Sequence, residues 1–261
     1  MDMLLKIIEL DFAYLDTFSK RVDTEWGSLF CNEKNPLYYD ANHAHVHRLI
    51  QDPVQVVDEV ITFYQSRGIF PRFYIYDIDQ HQALLAELRA RQFGIEELVA
   101  PVQLWQGKVI SLERNPAVTI EKVTEANFDE AVAIECSIKE LGGKIREQAL
   151  REEFNHSGYT HFLLRYEGVA CSTACIFQHG SQARMESVAT LESYRGKGLI
   201  GELIAHVQEE AIKKGYENLW VFPINERVEK VYQKYGFETV DSVRVAHAFL
   251  GGKSIAEVRE G

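Results

Sequence analysis

The stretch Val188-Ala-Thr-Leu-Glu-Ser-Tyr-Arg-Gly-Lys-Gly-Leu-Ile-Gly201 decides how this chain is read. Up to Thr190 it reads as a strand, through Gly196 and Gly198 as a tight turn, and from Leu199 as an amphipathic helix. That helix closes at Lys213-Lys214-Gly215, where cations suit the negative helix end and glycine suits the C-cap. Successive N–H groups at such a turn converge at the positive end of the helix, a geometry that binds phosphate, and Arg195 and Lys197 add charge. An ordinary glycine turn leading into a helix is the plain alternative.

Outward from this point the pattern is regular. Three strand-like runs, 160–166, 169–178 and 183–191, are separated by Glu167-Gly168 and His179-Gly180-Ser181, the layout of an antiparallel meander. Upstream, Val118-Thr-Ile-Glu-Lys-Val alternates like a strand. Thr124-Glu-Ala-Asn-Phe then offers capping side chains, helical spacing runs to Leu141 and stops at Gly142-Gly143, and a second helix covers 144–154. Downstream come a strand at 218–224, a helix at 226–235 closed by Gly236, and a strand at 238–249. The order β-α-α-β-β-β-α-β-α-β forms one α+β domain. The polar stretch Leu112-Glu-Arg-Asn-Pro-Ala117 sets its boundary, giving domains 1–114 and 115–261. Within the first, a helix at 54–66, a strand at 72–78, a helix at 80–92 and a strand at 95–105 repeat the succession of 201–249, a degenerate internal duplication.

Composition sets the class. In 261 residues, 46% are hydrophobic and 26% charged, a globular balance that excludes disorder, and no apolar run is long enough to span a membrane. The start Met-Asp-Met-Leu-Leu-Lys carries acid and no basic leader, so a secretory signal is not expected. Four cysteines form no CxxC pair. Cys171 and Cys175 read as buried thiols on one strand face in a reducing, cytoplasmic setting. The net charge of −11, from 28 basic and 39 acidic residues, disfavours nucleic acid and favours cationic partners such as amines. His43, His45 and His47 share one face of a strand, but no cysteine or acid is tied to them by metal-ligand spacing. They read as a polar strand face, with no metal expected.

The 195–201 turn resembles the acyl-CoA pyrophosphate loop of the GNAT N-acetyltransferases, whose pattern is Gln/Arg-x-x-Gly-x-Gly/Ala. Arg195 and Gly198 match it, whereas Ile200 stands at the second small position and Gly201 follows one residue later. A second mark is Asn225-Glu-Arg-Val-Glu-Lys-Val-Tyr232-Gln-Lys-Tyr-Gly-Phe237, in which Asn225 and Tyr232 are two helical turns apart on one side. The resemblance covers roughly residues 118–250. It implies a GNAT-type mixed, mostly antiparallel sheet flanked by helices, as two tandem GNAT-like domains, with acetyl-CoA as co-substrate. It further implies that Val188, Ala189 and Thr190 pair with the pantetheine arm, and that Arg195, Gly196, Lys197, Gly198, Leu199, Ile200 and Gly201 hold the pyrophosphate. Asn225 would contact the cofactor and Tyr232 would protonate the departing thiolate, with core packing as the plain reading of Tyr232 and of Tyr235.

Glu186 is the candidate base, placed two residues before Val188 and so expected on the same face; a solvated strand glutamate is the alternative. The implied activity is direct transfer of acetyl from acetyl-CoA to a small-molecule or peptide amine. No membrane or nucleic-acid partner is expected, and a homodimer is left open. A non-catalytic acyl-CoA-binding or structural module, and transfer of a larger acyl or aminoacyl group, are the competing readings. In the first half, matching Arg67-Gly68 to Lys214-Gly215 sets Arg48-Leu-Ile-Gln-Asp-Pro-Val54 opposite the glycine loop, and matching at the Gly-Phe turn sets Leu88 opposite Tyr232, so that half is expected to bind no CoA.

Overall fold

The computed structural model describes residues 3–260; Met1 and Asp2, with which the leaderless start was read, lie outside the described residues. In chain order the elements are α1 (Met3–Leu15), β1 (Lys20–Asp23), β2 (Gly27–Cys31), β3 (His43–Val46), α2 (Pro53–Gln65), β4 (Arg72–Tyr76), α3 (Gln82–Ala90) and β5 (Gly94–Trp105). There follow β6 (Val118–Lys122), α4 (Phe128–Ser137), α5 (Arg146–Phe154), β7 (Tyr159–Tyr166), β8 (Val169–His179), β9 (Gln182–Thr190) and α6 (Leu199–Lys214). The last are β10 (Asn218–Val221), α7 (Glu226–Lys234), β11 (Phe237–Phe249) and α8 (Ile255–Glu260). The fold is α+β, with a mostly antiparallel mixed sheet flanked by helices.

The chain forms two compact units: a larger one of Met1–Tyr14 with Pro101–Asp241, and a smaller one of Leu15–Ala100 with Ser242–Gly261. The sequence sets a break at 114/115, whereas the units divide within β5, between Ala100 and Pro101, and within β11, between Asp241 and Ser242. The stretch around that break is also bonded: Glu202 on α6 accepts from the Arg114 guanidinium at 3.0 Å and from Asn115 N–H at 2.9 Å.

In the larger unit the strands run in the order β5-β10-β9-β8-β7-β6. β6 to β9 form the antiparallel meander, β10 lies parallel to β9, and the Pro101–Trp105 end of β5 pairs antiparallel with β10 (Trp220 opposite Leu104). A parallel pair needs a crossover, and α6 supplies it. One face packs Ala183, Met185, Leu203, Ile204, Val207, Leu219 and Phe237 into a core under α6 and α7; Leu163 and Ala189 pack with Ala131 and Ile134 of α4 on the other.

The smaller unit repeats this plan. β1, β2 and β3 are antiparallel neighbours, β4 lies parallel to β3 with α2 as crossover, and the Val245–Phe249 end of β11 pairs antiparallel with β4. Its core gathers Val57, Val60, Tyr64, Phe73, Ile75, Leu85 and Leu88. The histidine strand is here, and its polar face is not solvated: His43 and His45 are buried, with the His45 ring 4.6 Å from that of Tyr76. Burial pushes the His45 imidazole well below its ordinary range. Among the described residues no group of three or more His, Cys, Asp or Glu side chains is placed to hold a metal.

Candidate active site

Two irregularities of the meander shape the site. Between β8 and β9 the register steps from Thr173 opposite Ala189 to Cys175 opposite Glu186, so Ser187 and Val188 together face Ala174. This is a β-bulge, and Ser187 holds it in the left-handed region at φ 52°. The bulge switches the alternation. Met185 and Val188 pack toward α6, whereas Ala189 packs toward α4. Glu186 is therefore on the face opposite Val188, which corrects the same-face expectation: one inserted residue exchanges the faces of everything beyond it. A second register shift, at Leu164/Arg165 opposite β8, does the same to the cysteines. Cys171 packs under α6, and Cys175 lies on the other face between His161 and Glu186, so the two do not share a face.

β10 pairs with β9 only at 182–184, while β8 stays paired with β9 to Thr190. Past Arg184 the outer edge of β9 is thus open among the described residues. Ser172 Oγ donates to the Ala189 carbonyl and Thr173 Oγ1 to that of Ser187. Strand alternation then turns the peptide groups of Val188 and Thr190 toward the open edge. The edge leads through Leu191 to Arg195, whose guanidinium donates to Thr190 O at 3.2 Å.

The turn then enters α6 through Gly196 at φ 79° and Gly198 at φ 77°, with nothing within 4 Å of a Cβ at either. Gly198 is the N-cap and gives no side-chain cap, so the N–H groups of Leu199 and Ile200 point out of the helix end, while that of Gly201 donates to the Gly198 carbonyl at 3.0 Å. Lys197 Nζ stands 5.2 Å from the Tyr166 ring. This cradle, with two cations and aligned N–H donors, fits a pyrophosphate. Leu199 is buried and Ile200 half-buried under the sheet. Gly201 has a different task. A Cβ there would lie 2.4 Å from the Tyr235 hydroxyl, so its lack of a side chain admits the Tyr235 ring against α6. Beside the turn, a cleft of about 830 Å³ is lined by Ser137, Ile138 and Glu140 on one side and Leu191–Ser193 on the other, with Lys139 and Arg195 as its cations.

Tyr232 is buried in the same core, its ring 5.6 Å from that of Phe237, and its hydroxyl makes no hydrogen bond to the described residues. Burial, and then the charge of Glu186, raise its pKa, so the two groups are near enough to feel each other. Asn225 caps α7, its side chain accepting from Val228 N–H at 2.9 Å. Glu186 accepts from Arg184, which also binds Asp11 of α1 at 2.7 Å and lies 4.4 Å over the Tyr14 ring. Burial raises the Glu186 carboxyl, with Arg184 opposing.

Sequence reasoning missed the buried group beside the bulge. Arg146 on α5 is 3% exposed and bound by Glu153 and by Glu135 of α4, with its Nη2 2.8 Å from Ser187 Oγ. Burial raises Glu135 to about 7 against the pull of Arg146. His161, with a buried Nε2 that has no hydrogen-bond partner among the described residues, is lowered by burial to about 3 and stays neutral. The i, i+7 spacing of Arg146 and Glu153 was the one visible signal.

Residues 128–237 match the model of the Acetyltransferase (GNAT) family. Among solved structures, a GCN5-related N-acetyltransferase from Kribbella flavida is similar with a TM-score of 0.73 and 17% identity, over 98% of this chain and 99% of that one. A conserved protein of unknown function from Staphylococcus epidermidis has a TM-score of 0.71 and 13% identity, over 88% and 93% of the two chains. A GCN5-related N-acetyltransferase-like protein from Streptococcus suis has a TM-score of 0.58 and 14% identity, over 94% and 98%. At these identities the likeness establishes the fold. No curated protein sequence matches, and no helix among the described residues is long and apolar enough to cross a membrane.

Proposed function

From a chain whose residues 128–237 carry a GNAT acetyltransferase domain, we propose an N-acetyltransferase that moves acetyl from acetyl-CoA to an amine by direct attack, with both substrates bound. The observation that carries this reading is the open edge of β9, which begins past Arg184, runs through the bulge and ends at the glycine turn of α6. An extended arm can add to such an edge while its anionic end meets the helix N-terminus.

Bound there, acetyl-CoA supplies a thioester carbonyl open to nucleophiles. Gly196 to Ile200 would present N–H groups to the pyrophosphate, with Arg195 and Lys197 supplying charge. Val188 to Thr190 would hold the pantetheine arm, and an outward N–H of this segment would polarise the carbonyl. As the new C–N bond forms and the C–S bond breaks, Glu186 would take the amine proton, directly or through water. Its raised pKa makes it a better base than a solvated carboxylate. Tyr232, kept protonated by burial, would give its proton to the sulfur. Asn225 and Gly201 support this set by capping α7 and by seating Tyr235. The acceptor would be a small-molecule or peptide amine. The four free cysteines, three of them buried, suit a reducing compartment such as the cytoplasm.

Acetyl-CoA should raise the melting temperature by mass action. Gly198→Asp, which puts a negative side chain into the cradle, should abolish that shift. A shift that persists in the mutant would move the site elsewhere. Acetyl-CoA-dependent thiol release across a panel of amines then reads turnover; binding without release for any amine would leave only a binding module.

A further inference from the structure

We propose that Arg146 and Ser187 form a clamp that holds the β9 bulge in shape and so fixes where the peptide groups of Val188 and Thr190 lie. Both are positioning residues, and the proposal rests on the acyl-transfer reading of that edge. Ser187 is a serine at φ 52°, a region that side-chain-bearing residues occupy at a cost unless their surroundings hold them there. Three side chains from outside β9 grip it, the Glu135 carboxylate by a hydrogen bond to its side chain. Thr173 Oγ1 donates to its carbonyl at 3.4 Å, and Arg146 Nη2 donates to its hydroxyl oxygen at 2.8 Å.

Arg146 is itself fixed. Its Nε donates to Glu135 at 3.2 Å and its two terminal nitrogens to both oxygens of Glu153, in a setting where the carboxylates are 1% and 0% exposed. A buried triad of two carboxylates and one guanidinium is a poor source of stability, since apolar replacements of such groups are often neutral or stabilising. What it does provide is a guanidinium with one orientation, carried from α5 to the residue where the sheet opens. Bidentate geometry defines that orientation in a way a single contact does not.

Ser187→Gly separates positioning from stability. Glycine takes φ 52° without strain, so the fold and the melting temperature should be kept, while the contacts with Arg146 and Glu135 are lost. Calorimetry with acetyl-CoA should then show a dissociation constant raised about tenfold or more, the scale of one hydrogen bond to a charged group. Amide exchange over 187–190 should be faster in the free protein. Ser187→Asn, which tolerates the left-handed region and offers Arg146 a carbonyl oxygen, should recover most of the affinity. Wild-type affinity in the glycine variant, affinity lost only in step with melting temperature, or unchanged exchange over 187–190 would each overturn the clamp. A wild-type protein that binds no acetyl-CoA would instead overturn the functional reading, and the exchange comparison would still decide on the clamp.

Discussion

Tyr232 is the residue at which packing and chemistry are easiest to separate. Its ring is buried against Phe237, and its hydroxyl makes no hydrogen bond to the described residues. Tyr232→Phe therefore keeps the ring contact and deletes no protein hydrogen bond, so the melting temperature should hold. If the hydroxyl protonates the thiolate, turnover should fall about 10²-fold while the acetyl-CoA-induced melting shift survives. Wild-type turnover in the folded Phe variant, measured where chemistry limits the rate, would remove Tyr232 from the mechanism. Residues such as Gly198 and Tyr232 were legible because local sequence marks them: a glycine at a turn, and a fixed spacing to Asn225 and to a Gly-Phe turn. Glu186 was legible as a strand acid but not in its facing, because a serine marks the bulge at 187 where a glycine would have announced it. Arg146 was illegible for another reason. The i, i+7 spacing to Glu153 offers it a partner but does not say that the charged pair will be buried.

At the level of elements, α6 uses two glycines for unlike purposes, and mutation should divide them. Gly198 is in open space at the helix N-cap, whereas a methyl at Gly201 would strike the Tyr235 hydroxyl. Gly201→Ala should cost about 1–3 kcal/mol of stability by overpacking, read as a lower melting temperature with acetyl-CoA still able to raise it. Gly198→Asp should lose the ligand response instead. Equal losses of both properties in both variants would refute this division. Most elements after residue 53 were legible to within a few residues, because alternation, caps and glycine stops agree there. The helix expected over 144–154 begins as a 3-10 turn at Gly143–Ile145 and becomes α-helical at Arg146. In the first 50 residues only the histidine strand at 43–47 was read, and it is β3. α1 is apolar in almost every position of its first half, and β1 is exposed at all four residues, so neither carries a period to read.

For the molecule as a whole, the repeated plan of the two units makes their difference at the α2 and α6 N-termini informative. Asp52 caps α2, its carboxylate accepting from Gln55 N–H at 3.0 Å, and Pro53 supplies no N–H of its own. The place that would correspond to a phosphate site is thus filled by the protein's own carboxylate. Leu88, matched to Tyr232, is fully buried and has no proton to give. Calorimetry should accordingly find one acetyl-CoA per chain, and none in Gly198→Asp. A second equivalent that survives that mutation would show the smaller unit to be a binding domain. The shared succession of helices and strands in the two units was legible from the sequence. Which unit each of β5 and β11 completes was not, since both carry the same kind of alternation and either could pair with β4 or β10.

That strand assignment bears on how the protein is made. β4 of the smaller unit pairs with Val245–Phe249, residues near the end of a chain of 261, whereas β1 to β4 are complete by Tyr76. Synthesis proceeds from the N-terminus at about 5–20 residues per second. A ribosome therefore spends about ten seconds or more between releasing β4 and releasing its partner. Through that interval the edge of β4 next to Phe73 and Ile75 has no native strand to cover it, and such edges template pairing with other chains. In the larger unit the corresponding wait is shorter, since β5 ends at Trp105 and its partner β10 begins at Asn218. The part of the molecule expected to carry out no chemistry is the part whose birth is most exposed to error.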